Sequence, residues 1–253
     1  MGSFHGRWGI LKKAYFYAFS FILYRLPLAL RYHLFAGQSH FCPICERNIW
    51  RFLQFGRSYQ ALCPICQSER RHRLVWLFLA QHTTLFDKQP RRMLHFAPEA
   101  ALEPRLRQIV KHYLTADRFG VGVSLKMDIA AIPLPDHSCD VIYCSHVLEH
   151  VANDWQALTE LHRILDPAGY AIIMVPITAP TTFEDSSVTN PAERERLFGQ
   201  HDHVRRYGPD FKERLEKCGF TVEVFSATQI AGSETERFGV SDKDPLFFCR
   251  RFR

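Results

Sequence analysis

The chain has 253 residues, of which 47% are hydrophobic and 23% charged, the balance of an ordinary soluble globular protein and not of a disordered or fibrous one. That length accommodates one full catalytic domain plus a small accessory one. The net charge of +6 hides an asymmetry, because residues 1–90 carry 12 Lys and Arg against only Glu46, Glu69 and Asp87, and the remainder is mildly acidic. A basic N-terminal third points to an anionic partner, RNA or a membrane surface, or to a plain solvated face.

Residues 1–36 hold ten aromatics, among them Trp8, Tyr15, Phe16, Tyr17, Phe19, Phe21 and Tyr24. Lys12 and Lys13 precede an apolar run over residues 14–24, which Arg25 ends and Pro27 follows. The run is shorter than the roughly 20 residues a membrane span needs, and its aromatics fall all round a helix. We expect a helical segment packed on the rest of the protein, with peripheral contact at a membrane interface as the competing reading. No small-residue cleavage site follows, so a secretory signal is not expected. The setting implied is cytoplasmic, with association at the inner membrane surface if the interface reading holds.

Residues 38–82 form a cysteine module and a helix. Cys42-Pro-Ile-Cys45 and Cys63-Pro-Ile-Cys66 are two copies of one knuckle, each of which points two sulfurs at one place. Together they predict a tetrahedral four-cysteine zinc site. Four protein thiolates leave no open position for water, so the metal's role would be structural. Cys139, Cys144, Cys218 and Cys249 are scattered. Arg47, Arg51, Arg57 and the Arg70–Arg73 cluster, with Trp50, Phe52, Phe55 and Tyr59 between them, suit either a stapled ribbon or a substrate-docking surface for phosphates and bases. The helix is predicted over residues 68–82, and residues 87–90 read as a linker.

From residue 88 to 253, strand and helix patterns alternate, the signature of a parallel sheet with crossover helices. A strand is predicted at 92–96, its helix at 103–112, and a second strand at 113–116 ending on Asp117, where a carboxylate can accept ribose hydroxyls. Then come the Met127-Asp128-Ile129 element, a buried strand over 139–144, a helix near 154–165 and a strand over 170–175. Residues 181–190, rich in Thr, Ser and acids, read as a mobile lid. A helix over 210–218 and strands at 220–225 and 246–252 complete the pattern. The fold expected is α/β: a doubly wound, Rossmann-like, mostly parallel seven-stranded sheet with a small N-terminal zinc-ribbon module.

The Asp128 element, "LPDHSCDVIYCSHVLEHV" and "ALTELHRILDPAGYAIIMVPI" resemble the type 11 group of class I S-adenosylmethionine-dependent methyltransferases over residues 92–225. A variant with an N-terminal cysteine ribbon is also similar in "LHFAPE" and "FGQHDHVRRYG". The resemblance implies S-adenosyl-L-methionine as cofactor, with Asp117 holding the ribose and Asp128 and the Ile129 backbone reading the adenine. The first loop would cradle the methionine end. The implied cofactor set is His95, Ala97, Glu99, Asp117, Asp128, Ile129 and Ser145. One departure stands out: the group's Gly-x-Gly-x-Gly loop is replaced by Ala97, Glu99 and Ala101, with Glu99 a candidate partner of the cofactor's ammonium group.

Methyl transfer from a sulfonium needs an aligned acceptor and, for a hydroxyl, a base. His146 is a candidate for that role, while His150 reads as a residue that orients the loop or caps the helix. His201, Asp202 and His203 are further candidates for a base and its orienting carboxylate, and Arg205 and Tyr207 for acceptor contacts. The acceptor expected is small or glycan-like, slightly ahead of RNA. The competing class is a cofactor-free, zinc-stabilised binding module for RNA or a membrane surface.

Overall fold

The computed structural model describes residues 22–55 and 58–252, with no account of the side chains of residues 55–61. The expectations on residues 1–21 and on Phe55, Arg57 and Tyr59 therefore lie outside the described residues. No described helix is long and apolar enough to cross a membrane. The chain divides into two compact units.

The first unit comprises the chain to Thr83 with Ala100–Arg105 and Ala227–Ser241, so a late segment joins the cysteine module. After the helix Leu28–Phe35 come β1 (Ala36–Cys42), β2 (Arg47–Ile49), β3 (Leu53–Phe55) and β4 (Ser58–Leu62). β1 pairs with β2 and β3 with β4, both antiparallel. Each Cys-Pro-Ile-Cys is a tight reversal: the first joins β1 to β2, and the second is closed by a bridge between Leu62 and Glu69. The helix Arg70–His82 then begins with a capping box, in which the Glu69 amide donates to His72 Nδ1 at 3.1 Å and so satisfies an otherwise orphaned donor. It starts two residues later than the sequence predicts because Glu69 is the cap.

The second unit is built on a seven-stranded sheet with β5 (Arg92–Phe96), β6 (His112–Asp117), β7 (Leu125–Lys126), β8 (Cys139–Ser145), β9 (Leu165–Met174), β12 (Phe220–Phe225) and β13 (Leu246–Arg251). Its order is β12-β13-β9-β8-β5-β6-β7. All neighbours are parallel except those of β13, which runs antiparallel to both β12 and β9. This is the doubly wound, mostly parallel arrangement that the sequence predicts. β8 and β9 are buried on both faces, as expected where helices cover a parallel sheet. The helix Asp154–Ile164 lays Ala157, Leu158, Leu161 and Ile164 into that core. At the bulge where β9 begins, a Cβ on Gly169 would sit 2.5 Å from the Asp140 carbonyl oxygen, so only glycine lets the two strands close.

Between β9 and β12 lies a two-stranded ribbon, β10 (Phe183–Glu184) paired with β11 (Arg205–Arg206), and a helix, Pro191–Phe198, between them. The segment that reads as a mobile lid in the sequence is anchored at its start: the Thr182 amide and hydroxyl donate to Asp210 Oδ1 at 2.8 and 3.0 Å.

Candidate active site and four-cysteine centre

Strand order reverses between β5 and β8, and in open α/β sheets ligands occupy the crevice beyond the carboxyl ends of strands at such a point. A cavity of about 630 Å³ lies there. It is lined by Ala97 after β5, Asp117 at the end of β6 and Phe119 beyond it, Asp128 and Ile129 after β7, and His146 after β8. Four loops thus converge because their strands are adjacent and parallel. Asp117 spends Oδ1 on its own loop, accepting from the amides of Phe119 and Gly120 at 2.7 and 2.6 Å, while Oδ2 has no hydrogen-bond partner among the described residues. Asp128 accepts from the Ala130 amide at 2.9 Å and pairs with the exposed Arg118 at 3.1 Å. Such an exposed pair is worth about 0.2–1 kcal/mol, so a ligand can displace it.

The glycine-free loop is accommodated by strain. Ala97 takes φ +47 and His146 φ +55, the left-handed region that costs an L-residue about 1–2 kcal/mol. Both are pinned by their amides, Ala97 to the Ala116 carbonyl at 2.8 Å and His146 to the Met174 carbonyl at 2.9 Å.

Three residues of the expected cofactor set are not among those lining the cavity. His95 is wholly buried, with Nδ1 2.6 Å from the Tyr113 hydroxyl and Nε2 2.7 Å from Glu99 Oε2. Glu99 also accepts from Tyr143 at 3.1 Å through its other oxygen. The carboxylate expected to meet a ligand ammonium thus ties two buried side chains, His95 and Tyr143, together. Ser145 is 4% exposed, and its hydroxyl has no hydrogen-bond partner among the described residues.

Beside the cavity stands a histidine and carboxylate cluster. His146 Nδ1 is 3.3 Å from Glu149 Oε1, and His150 Nδ1 is 3.1 Å from Asp202 Oδ2. His146, His150 and Asp202 line the cavity. The His203 ring stands edge-on to that of His150, with centroids 4.7 Å apart. Burial, and then the neighbouring His150, push the His203 imidazole below its usual pKa. His201 is exposed and lies outside the cavity lining. Sequence reasoning missed Glu149, which is 1% exposed. No sequence signal marks it, since it sits between Leu148 and His150 in a stretch of mixed polar and apolar residues.

Arg205 and Tyr207, expected to contact the acceptor, are bonded within the protein. Arg205 is 3% exposed and donates to the carbonyls of Leu148 and Ala152 at 2.8 and 2.9 Å, to that of Val151, and to Glu184 at 2.8 Å. Tyr207 is fully buried and donates to Asp154 at 2.6 Å; burial, and then the Asp154 charge, raise its pKa. Arg214 adds two contacts to Asp154 at 2.7 and 2.8 Å. These donors are consumed in fastening the ribbon to the start of the helix Asp154–Ile164 and are not available to an acceptor.

In the first unit, Cys42, Cys45, Cys63 and Cys66 bring their sulfurs within 4.8 Å of one another. The Cys42–Cys66 and Cys45–Cys63 sulfurs are 3.6 and 3.8 Å apart, against about 3.8 Å for a regular tetrahedron of Zn–S bonds near 2.3 Å. The residues after the knuckles, Glu46 and Gln67, both have positive φ, 56 and 62. Both donate their amides back to the first cysteine's carbonyl, at 2.8 and 3.0 Å. Arg73, from the expected phosphate-binding cluster, is fully buried. It donates to the carbonyls of Ser68, Phe238 and Gly239 at 2.6, 2.8 and 2.7 Å and lies over Phe52, so it serves the interior and not a surface.

Residues 98–173 match a family model described as a methyltransferase domain. The chain is 29% identical over 96 residues to a probable S-adenosylmethionine-dependent methyltransferase of Mycolicibacterium smegmatis, covering 38% of this chain and 34% of that protein. It is 36% identical over 52 residues to an uncharacterized methyltransferase of Mycobacterium bovis, covering 21% and 20%. The chain thus spans about a third or less of the length of these relatives. A 1,6-didemethyltoxoflavin-N1-methyltransferase of Burkholderia thailandensis, solved with 1,6-didemethyltoxoflavin and S-adenosylhomocysteine, shares the fold at a TM-score of 0.51 and 11% identity, over 73% of this chain and 79% of that one. Over residues 98–173 the second unit is thus similar to a methyltransferase domain, and its sheet order is the Rossmann-like fold that it shares with the Burkholderia enzyme.

Proposed function

We propose that the chain transfers a methyl group from S-adenosyl-L-methionine to an acceptor, with the cofactor in the crevice between the ends of β5, β6, β7 and β8. The observation that carries this reading is the placement of Asp117 and Asp128 on the lining of one cavity at the switch point, within the stretch that matches the methyltransferase domain. The bound cofactor supplies an electrophilic methyl on a sulfonium. Asp117 accepts the ribose hydroxyls with its unpartnered Oδ2, and Asp128 with the Ile129 backbone meets the adenine edge. Phe119 offers an exposed apolar ring beside them. His146 stands after β8 on the cavity lining and receives the proton of an acceptor hydroxyl, and its neighbour Glu149 stabilises the resulting imidazolium. The acceptor we favour is a small or glycan-like molecule.

Zinc in the four-cysteine centre is part of the same proposal. The sulfur spacing fits a tetrahedral ion, and four thiolates around Zn²⁺ carry a local −2. A buried guanidinium is costly without an anion, and that charge accompanies Arg73. The metal's role is structural, and membrane or RNA contact through the basic N-terminal part is a separate matter for binding assays.

Calorimetry with S-adenosylmethionine tests the cofactor reading directly. We expect saturable binding, and Asp117→Ala should weaken it roughly 10- to 100-fold, the worth of about 1.5–3 kcal/mol for hydrogen bonds to a charged group. An absence of binding heat for the zinc-loaded protein would remove the enzyme reading.

A further inference from the structure

Glu149 gives only its Oε1 to His146 in the proposed reaction, which leaves its second oxygen without a role. It is 1% exposed, and its Oε2 is buried with no hydrogen-bond partner among the described residues. A carboxylate left so costs stability unless a cation or donor accompanies it. Two imidazoles stand next to it: Glu149, His150 and His203 bring one ligand atom each within 4.8 Å of one another.

The orientation of the two rings is what distinguishes this cluster from a chance gathering. His150 holds Asp202 through Nδ1 at 3.1 Å, and His203 holds the Phe198 carbonyl through Nδ1 at 3.3 Å. In both rings Nε2 is the nitrogen left over. A metal-binding histidine characteristically anchors one nitrogen on a carboxylate or carbonyl and presents the other to the ion. The cluster has one partner of each kind. Glu149 offers a carboxylate oxygen as the third ligand atom.

We propose that Glu149, His150 and His203 form a divalent cation site on the wall of the crevice, with Asp202 and the Phe198 carbonyl orienting its imidazoles. Two imidazoles and one carboxylate on one side of an ion leave open positions for exchangeable ligands. The set takes only His203 from the run of His201, Asp202 and His203, because consecutive residues do not face one point. His201 is exposed and outside it, and Asp202 supports from behind. The ligand set combines imidazole with carboxylate and lacks sulfur, which suits Mn²⁺, Fe²⁺ or Zn²⁺ and separates it chemically from the four-cysteine centre.

The site deepens the methyltransferase reading and rests on it for its role. Because His150 and Asp202 line the same cavity as Asp117 and His146, the open positions serve an acceptor that offers a hydroxyl beside a second oxygen donor, as a vicinal diol or a catechol does. Bound there, the hydroxyl loses its proton to His146. Its oxygen then forms a bond to the methyl carbon, the S–CH₃ bond breaks, and the electron pair stays on sulfur as a neutral thioether.

The test is Mn²⁺ binding to the full chain already loaded with zinc, read from the loss of the free-ion electron paramagnetic resonance signal, with cofactor calorimetry on the same samples. One Mn²⁺ per chain is expected beyond the zinc. Glu149→Gln and His203→Gln should each weaken it at least tenfold and leave cofactor binding within about threefold. His203 is half-buried, so its variant decides the matter even if Glu149→Gln does not fold. The proposal is overturned if the wild-type chain takes up no Mn²⁺, or if His203→Gln binds it as well as wild type does. Cofactor binding without Mn²⁺ uptake would sink the metal site alone, and the reverse would sink the cofactor reading alone.

Discussion

The four-cysteine centre and the crevice solve the same problem, fixing several groups around one point, in opposite ways. The centre takes all four sulfurs from two copies of one short turn, and each copy has a left-handed residue after its second cysteine, Glu46 or Gln67, and the same returning amide bond. The crevice takes each of its groups from a different strand end, so its geometry exists only once the sheet is assembled. If the centre holds zinc as proposed, a site made from local repeats depends on that metal, whereas one made from a sheet depends on the packing behind it. The first should therefore fail when the ion leaves, and the second when a buried anchor is cut.

Removing zinc should give the largest effect. Structural zinc sites contribute apparent binding energies on the order of 10 kcal/mol to the folded state. Chelation, or Cys63→Ser, should therefore erase hydrogen-exchange protection across residues 42–82. Protection unchanged after the metal is stripped would mean that the knuckles hold themselves closed, and the contrast with the crevice would disappear.

The corresponding cut in the second unit is at Asp154, where Tyr207, Arg214 and, at 3.6 Å, Arg205 converge on a carboxylate that is 1% exposed. Breaking a buried ion network by removing one partner leaves uncompensated charge and costs about 3–5 kcal/mol. Asp154→Ala should lower unfolding free energy by that order in a urea titration and loosen the ribbon of β10 and β11. A loss below 1 kcal/mol would show that Arg205 and Arg214 find other partners and that the anchor is not this carboxylate.

These two sites also differ in how far the sequence announced them. The knuckles were legible because their ligands and their turn are contiguous. The sheet was legible because buried parallel strands read as apolar runs, and every expected strand from β5 onward is present. Asp117 ends β6 and so lies at the carboxyl edge, whereas the part expected of Asp128 came from the family resemblance alone. The internal contacts of Arg205 and Tyr207 were not legible because a dense polar segment looks the same whether its donors face solvent or carbonyls; only tertiary packing against Asp154 and the carbonyls of Leu148, Val151 and Ala152 decides. Glu149 was overlooked for the converse reason, since burial of a single acid leaves no period in the sequence. The late helices Ala227–Ala231 and Thr235–Phe238 are too short to produce one.

A smaller effect comes from acid. Burial, and then the nearby Arg251, lower the pKa of His162, whose ring packs edge-on against Phe220. A histidine with its folded pKa below the unfolded value near 6.5 stays neutral in the native state while the unfolded chain takes up a proton. Its contribution is therefore complete above about pH 6.5 and is lost as pH falls below it. The melting temperature should drop on acidification from pH 7 to 5, and His162→Gln should make that slope shallower. An identical slope in the variant would assign the acid sensitivity to other groups.

The smallest effect is the sharpest test of the comparison, because it uses the one device both sites share. Ala97 in the crevice and Glu46 in the first knuckle hold left-handed backbone without glycine. Glycine at either position removes about 1–2 kcal/mol of native strain and returns roughly 0.5–1 kcal/mol through the greater freedom of the unfolded chain. A net gain of up to about 1 kcal/mol follows, or roughly 2–4 °C in melting temperature for a domain of this size. Ala97→Val, which places a branched side chain in the same backbone state, should shift it the other way. If the strain only closes the turn, Ala97→Gly and Glu46→Gly should stabilise alike, and cofactor affinity should stay within about threefold. A stabilised Ala97→Gly that loses ten-fold or more in cofactor affinity would mean that the alanine methyl itself meets the ligand. The missing glycines would then be an adaptation of the crevice, and the likeness to the knuckle would stop at the backbone.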